Sequence, residues 1–94
     1  MHQIYIIHNI IDNKIYVGKS ANPIKRWIKH NSIAQSKRKR EKFYLHSAIQ
    51  KYKKQNFTFS IIQNFKSEQE CSLAEIYWIN YFQSNNNKYG YNQK

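Results

Sequence analysis

The sequence is short of several residue types on which common active sites depend. A single cysteine, Cys71, excludes an intramolecular disulfide and any multi-cysteine zinc cage, and it suggests a reducing compartment. Only two glycines, Gly18 and Gly90, are present, so there is no glycine-rich phosphate loop, and no nucleophilic-serine motif occurs. Carboxylates number five, and they are scattered. Asp12 and Glu41 fall in expected loops and Glu68 and Glu70 at an expected helix start, which argues against the converging acids of a two-metal centre. His2, His8, His30 and His46 show no metal-binding spacing and read as surface or hydrogen-bonding histidines. No apolar run approaches the roughly 18 residues of a membrane span, and the N-terminus lacks the form of a signal peptide. The expectation is a soluble intracellular protein, in cytoplasm or nucleoid or nucleus, with no membrane partner. Its 94 residues suit one domain, 1–94, without linker or internal repeat.

Positive charge is what the chain has in excess. Lysine and arginine total 16, for a formal net charge of +11. The excess is local: between Lys14 and Lys54 the only carboxylate is that of Glu41. Such a block attracts polyanions, because neutralised phosphates release their condensed counterions. Charge alone fits a ribosomal component or a membrane-surface binder as well; together with 16% aromatic residues it favours nucleic acid.

Periodicity places the elements. Residues 4–9 and 14–18 are Ile-, Tyr- and Val-rich runs around a polar turn with Asp12 and Asn13, the pattern of a β-hairpin. Alternation puts Tyr5 and Tyr16 on one side of it, with Ile4, Ile6, Ile15 and Val17 on the other. Asn22 before Pro23 starts a helix running to about residue 35, with Arg26 and His30 on one face. The charged stretch 37–42 interrupts, and Leu45, Ala48, Ile49 and Tyr52 then recur at helical spacing. Residues 57–62 alternate as a third strand, and Ser67 with Glu70 forms a capping box for a last helix to about Phe82. The fold class is therefore α+β, a small three-stranded, largely antiparallel sheet with helices packed around it in the order ββααβα.

In the last helix Cys71, Ala74, Trp78 and Phe82 fall along one stripe, and Glu75 projects from within it. A carboxylate among apolar neighbours is costly unless it is paired or holds a cation. Helix geometry leaves both readings open: a salt bridge to one of the many lysines, or a metal ligand.

The stretches IYIIH at 4–8 and IYVGKS at 15–20, the helix with Arg26, Trp27 and His30, Glu75 within AEIYWINYF, and the closing GYN at 90–92 resemble, in order and spacing, the catalytic domain of the GIY-YIG nucleases, most closely the homing-type members. Tyr5 falls in the first motif and Tyr16 with Gly18 in the second. Arg26 falls on the family's arginine, His30 on a frequent active-site histidine, Glu75 on the metal-binding glutamate and Asn92 on the asparagine near the C-terminus; Lys19 matches a lysine of some branches. Gln3 stands where the motif has its first glycine, a position of backbone freedom rather than chemistry.

The resemblance implies a metal-dependent DNA endonuclease in which one divalent ion, Mg²⁺ or Mn²⁺, is held by Glu75. Water would attack a phosphate in line, with Arg26 neutralising the developing charge. For the base, Tyr5 is preferred, with Tyr16 orienting water or phosphate. A free tyrosine has a pKa of about 10, so either phenolate needs nearby cations, and His30 is the rival. Asn92 would organise the metal shell or bond Glu75. Lys19, Lys37, Arg38, Lys39, Arg40 and Lys42, with lysines 51, 53 and 54, are the candidates for holding the DNA backbone. Homing-type members imply a DNA-recognition domain, fused or separate, so the chain reads as a stand-alone nuclease or as a catalytic domain. The alternative is a non-catalytic, basic nucleic-acid-binding module on the same fold.

Overall fold

The computed structural model describes residues 1–35 and 44–92. Three strands form one sheet in the order β2-β1-β3: β1 (His2–Asn9), β2 (Ile15–Ser20) and β3 (Phe57–Phe65). Both pairings are antiparallel. The connection between β1 and β2 is tightened by Asn13, whose φ of 65° is left-handed, and by Asp12, whose carboxylate accepts from the backbone N–H of Lys14. Asparagine tolerates that conformation better than most residues.

The central strand is covered on both faces. On one side Tyr5, Ile7, Ala34, Leu45, Ala48, Ile49, Phe57 and Tyr91 form a core with α1 (Pro23–Gln35) and α2 (Tyr44–Tyr52). On the other, Ile4 and Val17 meet Cys71 of α3 (Glu68–Phe82), with Ala74, Trp78 and Phe82 packed alongside. The stripe expected for the last helix is thus the buried one, while Leu73 and Ile76 point outward at 63% and 57% exposure. Capping matches the local sequence: the Asn22 side chain accepts from Lys25 N–H, and Ser67 accepts from Glu70 N–H.

Two features exceed the sequence expectations. β3 runs on to Phe65, because Gln63, Asn64 and Phe65 pair with Ile4, Gln3 and His2 beyond an irregularity at Ile4/Tyr5. The C-terminal segment also clamps β2. Ile15 bridges Gly90 in parallel, and the Asn92 amide bonds both backbone groups of Val17, accepting at 2.7 Å and donating at 2.8 Å. No helix of the described residues is long and apolar enough to cross a membrane.

Candidate active site

The hairpin brings the two motif tyrosines together. Tyr5 pairs with Gly18, and Ile7 with Tyr16, leaving the two phenol rings 6.3 Å apart on the face toward α1. Gly18 is required by this arrangement: a Cβ there would land on the Tyr5 ring. The motif glycine is therefore a gap through which the Tyr5 phenol crosses β2, a steric role rather than one of backbone freedom. Tyr5 is 1% exposed, whereas Tyr16 is half-buried.

Arg26 and His30, one turn apart on α1, both face this pair. His30 Nε2 lies 3.0 Å from Tyr5 Oη, and the His30 ring packs edge-on against Tyr16. Burial pushes both phenols above their ordinary value. For Tyr5, Tyr16 adds to the rise and Arg26 opposes it; for Tyr16, Arg26 is the foremost opposing charge.

Glu75 enters from α3, which packs on β2. Its charge reaches both tyrosines, and burial pushes its carboxyl above the ordinary carboxylate value, with Lys19 opposing. Among the described residues it makes no ion pair within 4.0 Å. Lys19, the cation whose charge acts on it, is instead held on α3 by a 2.6 Å hydrogen bond to Ser72 and a 3.6 Å ion pair with Glu68. No group of three or more His, Cys, Asp or Glu gathers among the described residues. One desolvated carboxylate suits a hard divalent ion that keeps several waters and shares its remaining ligands with a phosphate.

Tyr5, Tyr16, Arg26, His30 and Glu75 therefore converge. The structure places Asn92 on β2, where its amide bonds both backbone groups of Val17. Lys37, Arg38, Lys39, Arg40 and Lys42 lie outside the described residues. What the sequence reading missed is on the helices. Lys25 and Lys29 join Arg26, Ser20 and Asn22 around a shallow depression of about 150 Å³, the kind of cationic hollow a phosphate fits. Arg26 at helical spacing from Lys29 was the available signal. His46, 1% exposed, lies against His30, with its Nε2 2.8 Å from His30 Nδ1.

The His30 ring is held neutral. Burial foremost, then His46, Arg26 and Lys29, pushes its pKa down from 6.5 to about 3. The unfolded chain binds this proton below about pH 6.5 and the folded chain only near pH 3, so stability contributed by neutral His30 is present above pH 6.5 and lost as pH falls toward 3. The full loss is on the order of 5 kcal/mol if His30 titrates alone. Glu75, whose pKa burial raises, acts in the opposite sense as its carboxyl takes up a proton. Denaturant midpoints should therefore fall between pH 6.5 and 4, and His30→Gln should flatten that slope; an unchanged slope in the variant would remove His30 as its cause.

Two facing tyrosines of one hairpin are thus flanked by Arg26 of α1 and by the desolvated Glu75 of α3. The family model for the GIY-YIG catalytic domain matches residues 1–90, and the chain belongs to that family as a nuclease of the GIY-YIG type. Two solved structures share the fold. The catalytic domain of homing endonuclease I-TevI is 25% identical, covering 97% of this chain and 96% of that one with a TM-score of 0.76. The E75A mutant of the catalytic domain of intron endonuclease I-TevI is 27% identical, covering 98% and 93%, with a TM-score of 0.76. No curated protein sequence matches the chain.

Proposed function

We propose that this chain hydrolyses a phosphodiester bond in DNA by in-line attack of water, assisted by one divalent ion, Mg²⁺ or Mn²⁺, that Glu75 holds. The observation that carries the reading is Glu75 itself: a desolvated carboxylate, without an ion pair among the described residues, whose charge reaches both hairpin tyrosines. When bound, the ion polarises a phosphoryl oxygen and stabilises the leaving 3′-oxygen. Arg26, with donors only, neutralises charge gathering on the phosphate. Lys25 and Lys29 flank it and hold the backbone on either side.

The base is assigned to Tyr16 rather than to Tyr5. A base must reach the attacking water; Tyr5 is 1% exposed, under the gap at Gly18, while Tyr16 is half-buried with Arg26 as its foremost opposing cation. His30 is not available for that role, because one ring nitrogen faces Tyr5 and the other His46. Tyr5 acts behind Tyr16, bonded to His30 and close to Arg26.

Expulsion of the 3′-oxygen leaves a 3′-hydroxyl and a 5′-phosphate. Nicked plasmid from the reaction should accordingly be resealed by DNA ligase, and a nick that ligase cannot close would contradict this bond polarity. Binding is expected to be electrostatic and weakly sequence-selective. If about six or more phosphates are engaged, affinity should drop by orders of magnitude between about 50 and 200 mM salt; a flat salt response would refute it.

A further inference from the structure

The two edges of the sheet are treated differently. At β2 the C-terminal segment covers the edge, with Ile15 bonded to Tyr89 and Tyr91 and Val17 to Asn92. At β3 nothing does: the order β2-β1-β3 pairs it on one side only, and among the described residues no other backbone bonds to it. An open edge is normally blunted by lysine, proline or a bulge. From Gln55 to Phe65 there is no charged residue and no proline, in a chain with 16 lysines and arginines. One irregularity does interrupt the strand, since Tyr5 pairs with Ile61 and Ile4 with Gln63, which passes over Ile62. The regular part of the open edge is therefore 57–61, FTFSI.

This segment is complementary to itself. An antiparallel copy centred on Phe59 sets Phe57 opposite Ile61 and Thr58 opposite Ser60, with Phe59 on the two-fold axis. Aromatic with β-branched and threonine with serine are stabilising cross-strand pairs, and no like charges meet. Thr58, Ser60 and Ile61 are exposed. Helix α1 widens the surface. Around it Arg26 acts on Tyr16 of β2, His30 meets Tyr5 of β1, and Trp27 stacks on Phe59 of β3 with ring centres 5.8 Å apart. Continuing in the same sense, Ile24 and Ile28 come next, beyond the open edge, and they are 61% and 63% exposed.

We infer that β3 is an interface between two copies of this chain, paired antiparallel about Phe59 into one continuous sheet, with Ile24 and Ile28 of the two α1 helices flanking the seam. Nucleic acid is not the occupant, because an uncharged edge offers a phosphate backbone no cation. A two-fold axis through this edge, normal to the sheet, keeps both α1 faces on one side, with the two β2 strands roughly 24 Å apart at about 4.8 Å per strand. Both candidate active sites then present to the same duplex. That consequence rests on the nuclease reading; the pairing does not.

Two chains of +11 repel one another, and salt screens the repulsion. Self-association should therefore tighten with salt, opposite in sign to DNA binding. Sedimentation equilibrium of the full chain without DNA, from about 1 μM to 1 mM, should pass from the mass of one chain to that of two, at a lower midpoint in higher salt. Thr58→Lys puts a cation on each side of the seam and should raise the midpoint about tenfold or more, with the melting temperature unchanged. Adding Ser60→Glu to Thr58→Lys sets opposite charges across the same pairs and should restore the dimer. On DNA, the dimer should turn a larger share of cut plasmid linear than Thr58→Lys does, and equal shares would overturn the pairing of the two sites. A chain that stays monomeric throughout would overturn the inference and leave the edge to a strand of another protein. A dimer indifferent to Thr58→Lys, or not rescued by the added Ser60→Glu, would overturn it too. If Thr58→Lys does not fold, Ser60→Lys, which meets the same pair from the other strand, decides in its place. A dimer that cuts no DNA would refute the nuclease reading and leave the interface standing.

Discussion

Glu75→Gln should lower DNA cleavage by about 10²–10³-fold or more while leaving the folded chain as stable as before, or more so. Glutamine keeps the size and the hydrogen-bonding capacity but removes the charge that attracts a hard cation. The sign of the stability change follows from the carboxyl's environment. Burial holds the Glu75 pKa above its ordinary value of 4.5, so the folded chain binds this proton more tightly than the unfolded one does. Ionised Glu75 therefore reduces stability at neutral pH, and an uncharged amide removes that cost. A structural ion pair would behave oppositely, since losing one partner strands the other charge and costs roughly 3–5 kcal/mol. Thermal unfolding and plasmid nicking on one preparation separate the cases. A fall in melting temperature with cleavage intact would mark Glu75 as an ion-pair partner.

Tyr16→Phe should reduce turnover by about 10²–10⁴-fold, the range expected for loss of a general base, with DNA affinity nearly unchanged. Only a hydroxyl on a half-buried ring is lost. Tyr5→Phe should act differently. It strips His30 Nε2 of its buried partner and so should destabilise the fold by about 1–3 kcal/mol, with a smaller effect on turnover. Single-turnover rates for the two variants, set beside their unfolding midpoints, decide between the phenols. A dead Tyr5→Phe together with an active Tyr16→Phe would return the base to Tyr5.

Local signals in the sequence were strong enough to place the elements. Asn22–Pro23 and Ser67–Glu70 mark helix starts that the side chains do cap, and strict alternation puts Tyr5 and Tyr16 on one face because the strand period is two. The helical period of 3.6 explains why Glu75 could be singled out, since the stripe of Cys71, Ala74, Trp78 and Phe82 is the one packed against the sheet. What escaped depends on contacts between distant segments. His30 and His46 meet across 16 residues, and neither residue's neighbours carry a sign of the other. Nor does the sequence around Asn92 show that its amide completes the edge of β2 from 75 residues away. Gln63 and Asn64 lack strand propensity, and they are extended because β1 supplies partners for them. The steric role of Gly18 depends on which ring crosses above it, and pairing register decides that.

The most direct measurement of the central claim is the incubation of supercoiled plasmid with the chain, in Mg²⁺ and, in parallel, in excess chelator. Nicked circles should accumulate with Mg²⁺ in wild type, disappear with chelator, and be absent from Glu75→Gln under both conditions. Cleavage that persists undiminished in chelator or in Glu75→Gln, or a folded wild type that nicks nothing with any divalent ion, would contradict a metal-assisted nuclease centred on Glu75.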